Sequence, residues 1–223
     1  LAGGSAGFNI IGSSGTDTIK GTGKADTFTI ASSGQGNSDV LDGAGGADTL
    51  KLSTGSHVFA SDANFTNIET VLANSAGSSI NLSAQTEGFT ITGGAGVDII
   101  TGGAGINVIT GDAGNDSITG GASADIITGG AGDDQLTGGA GADTFNIDSG
   151  SDTITDMSAT DILVISAGAT VNGTISANYT ATGATTNAGT ANLTIGTGGL
   201  SVDMSLAGGS AGFNIIGSSG TDT

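Results

Sequence analysis

The sequence predicts an all-β fold, a β-solenoid in which short strands and glycine turns coil and stack on themselves. Three observations carry that prediction. Six nine-residue units run without a gap from Gly93 to Asn146: GGAGVDIIT, GGAGINVIT, GDAGNDSIT, GGASADIIT, GGAGDDQLT and GGAGADTFN. Their eighth position is always large and apolar: Ile100, Ile109, Ile118, Ile127, Leu136 and Phe145. The chain has 44 glycines and no proline, and the glycines recur at fixed places in the units. A glycine-rich linker has no reason to keep one apolar residue at every ninth position, so disorder is not the reading.

The unit explains itself residue by residue. Glycines at positions one, two and four permit positive φ and close approach of backbones, and their turns aim carbonyl oxygens at a common point. Position six supplies an oxygen: Asp98, Asn107, Asp116, Asp125, Asp134 and Asp143. Positions seven to nine are short and β-prone, with position eight facing inward. Calcium takes six to eight oxygen ligands in flexible geometry. One such turn cannot supply that number, whereas two stacked turns can.

The pattern continues outside the core run. IDSGSDTIT, residues 147–155, places Asp152 at position six and Ile154 at position eight. Near the start, GSSGTDTIK and GTGKADTFT place Asp17 and Asp26. After a four-residue insertion, GQGNSDVLD and GAGGADTLK place Asp39 and Asp48.

These units resemble the repeats-in-toxin (RTX) family of secreted bacterial proteins, whose repeat is GGxGxDxUx with U a large apolar residue. The resemblance implies a right-handed parallel β-roll in which two nonapeptides make one coil. It places calcium ions between units i and i+2. Carried onto this chain, it pairs Asp98 with Asp116, Asp116 with Asp134, Asp134 with Asp152, and Asp125 with Asp143. At the start it pairs Asp17 with Asp39 and Asp26 with Asp48. Turn carbonyls would come from Gly94, Gly96, Gly103, Gly105, Gly114, Gly121, Gly130, Gly132, Gly139 and Gly141. Asn107 departs from the pattern: it keeps an oxygen but loses the charge, so the Asn107–Asp125 site is expected to be weak or empty. Asp112 and Ser123 stand where the pattern has glycine and put the local turn geometry in question.

Composition agrees with several bound Ca2+ ions. The formal net charge is -18, and of 21 acids only Glu69 and Glu87 are not aspartate. Short carboxylates suit ligation from a tight turn. Without metal they repel one another, and the glycines hold much chain entropy, so we expect folding to be coupled to calcium. With no cysteine, metal takes the stapling role. No apolar stretch is long enough to span a membrane, and no ordinary signal peptide opens the chain. The family leaves bacterial cells by type I secretion, which implies an extracellular or cell-surface location. Three lysines argue against nucleic acid as a partner.

The expected organisation is degenerate β-roll coils over 1–51, β-rich coils without a metal motif over 52–92, the main roll over 93–156, and a Thr/Ala-rich β segment over 157–205. Residues 206–223 repeat residues 1–18 letter for letter, LAGGSAGFNIIGSSGTDT. We read this as the start of the next copy of a 205-residue tandem repeat. A period that is solenoid throughout would rise on the order of 55 Å. The segments between calcium runs read as metal-free coils or as a small sandwich, and SDANFTNIETVLA as a short helix at most. Phe8, Ile10, Ile11, Phe28, Phe65, Phe89, Phe145 and Phe213 read as core or coil-capping residues, Tyr179 as surface or core, and His57 as a surface or loop residue.

No enzyme is expected. HExxH is absent, and GGSAG at Gly3–Gly7 matches a nucleophile elbow by letters without the strand-to-helix context. Thr101, Thr110, Thr119, Thr128 and Thr137 would stack as hydroxyl ladders by β-propensity, with an ice-binding face as the alternative. The reading is therefore an extracellular calcium-stabilised structural protein of a surface layer, filament or adhesin stalk. The alternative is the calcium-binding domain of a secreted hydrolase or toxin. Self-association into an array is the expected partnership, and a cell-surface glycan or lipid anchor is compatible with it.

Overall fold

Alternating inward and outward side chains, cut at short intervals by glycine turns, give a parallel β-solenoid. The structure is a computed structural model that describes residues 9–11, 16–30, 38–74, 76–196 and 199–218. Among these residues there are 25 strands and one three-residue 3-10 turn. Eleven strands form the longer sheet, in chain order: Asn9–Ile11, Thr27–Ile30, Thr49–Leu52, Thr70–Leu72, Thr90–Ala95, Val108–Ala113, Ile126–Ala131, Thr144–Ile147, Ile162–Ile165, Thr186–Asn187 and Gly208–Gly209. Nine form the shorter sheet: Gly55–Val58, Ser78–Asn81, Ile99–Thr101, Ser117–Gly121, Gln135–Gly139, Ser151–Met157, Thr170–Ile175, Thr190–Ile195 and Phe213–Ile216. Each strand pairs in parallel with the strand one coil away, as Val108 does with Ile126 and Ser117 with Gln135. The order in each sheet is the order of the sequence, the signature of a coil that climbs without crossing back.

The nonapeptide run sets an eighteen-residue coil, seen in the registers Thr90↔Val108, Val108↔Ile126 and Ile126↔Thr144. Flanking coils are wider. Thr27 pairs with Thr49, Thr49 with Thr70, and Leu41 with Phe65. The extra residues are accommodated by a three-stranded sheet (Thr18–Lys20, Val40–Asp42, Phe65–Thr66) and a two-stranded one (Tyr179–Thr180, Val202–Asp203). The described residues within 52–92 and 157–205 are therefore further coils of the same solenoid, and no sandwich forms among them. At ~4.8 Å per rung, the ten steps of the longer sheet rise roughly 48 Å, less than uniform eighteen-residue coils would give.

The core is one continuous apolar column inside the coil. Every position-eight residue from Ile100 to Ile154 is buried. Removing each such side chain from water contributes about 1.5–3 kcal/mol. Wider coils take larger fillers: the Phe59 and Phe65 rings lie 4.6 Å apart, and Phe65 and Phe89 5.6 Å. Tyr179 is buried, its hydroxyl 3.2 Å from Thr185 Oγ1. Phe28 and Phe145 are core residues as expected, and Phe213 packs partly buried against the core. Ile11 is corrected: it is 65% exposed. Phe8 and the Ile10 side chain lie outside the described residues.

Two further expectations change. His57 is neither surface nor loop: it is fully buried in Gly55–Val58, with Nε2 3.0 Å from the Ser53 carbonyl. Strand alternation points it into a wide coil, where a backbone carbonyl is within reach. The segment SDANFTNIETVLA forms only the 3-10 turn Asp62–Asn64 before Phe65–Thr66 and Thr70–Leu72 resume strand, because Phe65, Ile68 and Val71 are drawn into the core. The threonines stack in two columns. Thr110 faces Thr128 in the longer sheet, and Thr101, Thr119 and Thr137 align in the shorter, where Thr137 Oγ1 lies 2.7 Å from Thr155 Oγ1.

The identical segments end in different sheets. Asn9–Ile11 pairs with Thr27–Thr29 in the longer sheet, whereas Phe213–Ile216 pairs with Ala191–Thr194 in the shorter. Coils of unequal length shift the phase by half a turn between the two copies.

Candidate metal centre

Stacking at eighteen residues brings each position-six side chain directly over the next. The backbone N–H of one unit donates to Oδ1 of the residue one coil on. Along one edge, Ser78 donates to Asp98 (2.6 Å), Asp98 to Asp116 (2.7 Å), Asp116 to Asp134 (2.8 Å) and Asp134 to Asp152 (3.0 Å). Along the other, Phe89 donates to Asn107 (3.0 Å), Asn107 to Asp125 (2.7 Å), Asp125 to Asp143 (2.8 Å) and Asp143 to Asp161 (3.0 Å). Near the start, Asp17 donates to Asp39 (2.8 Å) and Asp26 to Asp48 (2.6 Å). The structure thus brings together, in sequential rungs, every pair that the resemblance joined.

One oxygen of each carboxylate is committed to this ladder, and the other is not. Oδ2 of Asp39, Asp48, Asp98, Asp116, Asp125, Asp134 and Asp152 is buried without a hydrogen-bond partner. An unsatisfied buried carboxylate oxygen is costly unless a cation or donor meets it. Those of Asp48, Asp98, Asp116, Asp125 and Asp134 each lie beside a glycine whose missing side chain leaves a cradle. A Cβ on Gly93 would sit 2.7 Å from both Asp98 Oδ2 and the Gly111 carbonyl oxygen. On Gly120 it would sit 2.5 Å from Asp125 Oδ2 and 2.7 Å from the Gly138 carbonyl oxygen. Gly111 faces Asp116 Oδ2 and the Gly129 carbonyl in the same way.

Asn107 marks the rest of the oxygen set. Its Nδ2 lies 3.1 Å from Gly103 O, 2.8 Å from Gly105 O, 3.2 Å from Gly120 O and 3.0 Å from Asp125 Oδ1. Four oxygens therefore converge on one point, more than an amide's two N–H bonds can satisfy at once. Among the described residues no three acidic, histidine or cysteine side chains gather on one centre. The donor set is one carboxylate per turn completed by backbone carbonyls and the carboxylate of the next coil. All-oxygen sets of this kind suit a hard divalent cation such as calcium.

Most turns share one shape, from which Gly103 and Gly105 of the Asn107 turn depart by not taking positive φ. Gly94, Gly96, Gly114, Gly121, Gly130, Gly132, Gly139 and Gly141 hold φ between 98° and 147°. Asp112 takes the same left-handed backbone (φ 75°) at position two. Ser123 instead ties its hydroxyl to the Ala104 carbonyl at 2.7 Å.

Two carboxylates are closed by their own turns. Asp26 Oδ2 accepts from Thr22 N–H (2.6 Å) and Thr22 Oγ1 (2.9 Å), and Asp161 Oδ2 accepts from Ser158 N–H (2.7 Å). Asp161 escaped the sequence reading because its unit, DMSATDILV, has lost every glycine; a further nine-residue step from Asp152 is the signal that finds it. Glu69 was missed too. Its Oε2 accepts from Asp48 N–H at 2.7 Å, extending the second edge across a wider coil. Asp156 binds the Gly138 and Gly139 N–H groups at 3.0 and 2.8 Å and braces that turn.

Burial pushes these carboxyls up, opposed by the ladder N–H and, except at Asp125, reinforced by neighbouring acids. Asp116 and Asp143 rise to about 6 and Asp152 to about 7, and Asp48, Asp98, Asp125, Asp134 and Asp161 also rise. A proton and a cation compete for the same oxygen. Calcium affinity is therefore expected to weaken as pH falls through about 7 and then about 6, approaching about tenfold per pH unit for each proton displaced once the pH is below that carboxyl's pKa. Titrations at pH 8 and pH 5.5 check this; equal midpoints would contradict it.

The family model for the RTX calcium-binding nonapeptide repeat matches four stretches, residues 4–29, 32–55, 92–127 and 119–154, just over half of the chain. No curated protein and no solved structure matches the chain. The stacked nine-residue turns and their aspartate ladders are those of this repeat, and the chain belongs to the RTX calcium-binding nonapeptide repeat family.

Proposed function

We propose that this chain is an extracellular structural repeat of a bacterial cell-surface layer, filament or adhesin stalk, stiffened by calcium. The observation that carries the reading is the letter-for-letter recurrence of residues 1–18 at 206–223 on a fold that extends by stacking. One calcium-binding domain serves a secreted enzyme, whereas a stalk or layer needs many copies in series. Because the two copies lie in different sheets, successive periods of a continuous array would present opposite faces.

The ions sit where the oxygens converge. An ion at Asp116 would take the oxygens gathered at that cradle, Asp116 Oδ2 and the Gly129 carbonyl beside Gly111, with Asp134 Oδ1 of the next coil. The Asp98 and Asp125 turns offer the same positions. Millimolar extracellular calcium fills weak sites of this kind, and a calcium-poor cytosol keeps the chain unfolded for export. Electron microscopy of the secreted material with and without chelator tests the role. Ordered fibres or sheets that disperse in chelator are expected; dispersed particles with hydrolase activity would overturn the reading.

A further inference from the structure

We infer that the Asn107 amide is a built-in substitute for a calcium ion, so that the edge of the stack joining Phe89, Asn107 and Asp125 closes without metal. The inference rests on the calcium reading of the neighbouring turns.

The amide's orientation is fixed by its surroundings. Phe89 N–H donates to Asn107 Oδ1 at 3.0 Å, and Gly103 N–H approaches it at 3.4 Å, so the oxygen must face those donors. The nitrogen then faces only acceptors: the carbonyls of Gly103, Gly105 and Gly120 and the Asp125 carboxylate. In the aspartate turns an unpartnered Oδ2 stands at the corresponding place, as at Asp98, Asp116, Asp125 and Asp134. The amide removes two charges at once, the carboxylate's and the cation's, and puts N–H groups where the cation would sit. Asn107 is fully buried, and a Cβ on Gly102 would meet its Nδ2 at 2.8 Å, so the cradle is filled. Repulsion between buried carboxylates, which opposes closure of the aspartate edges without metal, is absent between Asn107 and Asp125, while Asp98 and Asp116 keep it on the opposite edge of the same coils.

This coil lies within the nonapeptide run, where Val108–Ala113 pairs with the strands on either side. Its Asn107 edge supplies a preformed contact on which calcium-dependent turns can close as metal arrives. Starting a stack is the costly step in a repeat protein, and a metal-free seed lowers it.

Two measurements on the full chain and its variants test the idea. In chelator, hydrogen exchange at the Phe89 and Asn107 amides is expected to be about tenfold or more slower than at the equivalent Asp98 and Asp116 amides. N107D is expected to abolish that difference and, in saturating calcium, to bind one ion more than the wild type by native mass spectrometry. N107A is expected to abolish the difference without gaining an ion. An unchanged ion count in N107D, or equal exchange at the two sets of amides in the wild type, would overturn the substitution. A wild type that binds no calcium at all would instead overturn the reading of the aspartate turns, a failure distinguishable because the exchange contrast is measured without metal.

Discussion

In chelator at pH 7.5 the protein is expected to lose most of its β-sheet circular dichroism, and millimolar calcium is expected to restore it. The driving physics is in the ladders. Asp98, Asp116, Asp134 and Asp152 stack on one edge and Asp125, Asp143 and Asp161 on the other, all buried. Several carry an oxygen with no partner. Their raised pKa values mean that the metal-free fold prefers the protonated form. That preference stabilises the fold fully below the usual carboxylate range near 4. It is lost as pH rises through about 6 for Asp116 and Asp143 and about 7 for Asp152. At neutral pH the metal-free coil therefore carries buried like charges, while its 44 glycines favour the open chain. In chelator at pH 5 the chain is expected to recover part of the β signal, a result that a fold indifferent to these carboxylates would not give. An identical spectrum with and without calcium at pH 7.5 would count against the coupling.

The second large effect concerns a single methyl group. Gly111→Ala places a Cβ against Asp116 Oδ2 and the Gly129 carbonyl, the two oxygens that face the cradle. The variant is expected to lose at least one calcium ion and to be less stable by about 1–3 kcal/mol through steric overpacking, with the lost metal site adding to that. Gly183→Ala is the matched control, since a Cβ there meets nothing within 4 Å. Thermal unfolding in saturating calcium separates the two variants. Equal melting temperatures and equal ion counts would mean that the cradle holds no cation.

Most of the central solenoid could be read from the chain because its period is strict. With nine residues per unit, position eight must return to the interior and position six to the edge, and Ile100 through Ile154 and Asp98 through Asp152 do so. Legibility fails where the period breaks. Glu69 enters the second ladder across the 21-residue step between Thr49 and Thr70, so no nine-residue spacing exposes it. Asp161 keeps the spacing but has no glycine around it, and Ser158 replaces the open cradle with an N–H. Asn107 announced a lost charge, yet only the folded turn brings its amide among four oxygens. His57 looked like a loop residue because nothing in STGSHVFAS reveals that a widened coil would draw it inward. The opposite placement of the two identical segments has the same origin: coil length is set locally, and phase accumulates along the stack.

A crystal structure in millimolar calcium, with anomalous scattering recorded from the ions, tests the central claim most directly. Peaks are expected between successive rungs beside Oδ2 of Asp98, Asp116, Asp125 and Asp134, with no peak at the Asn107 amide. Turns beside those four carboxylates that hold only water under millimolar calcium would contradict the account.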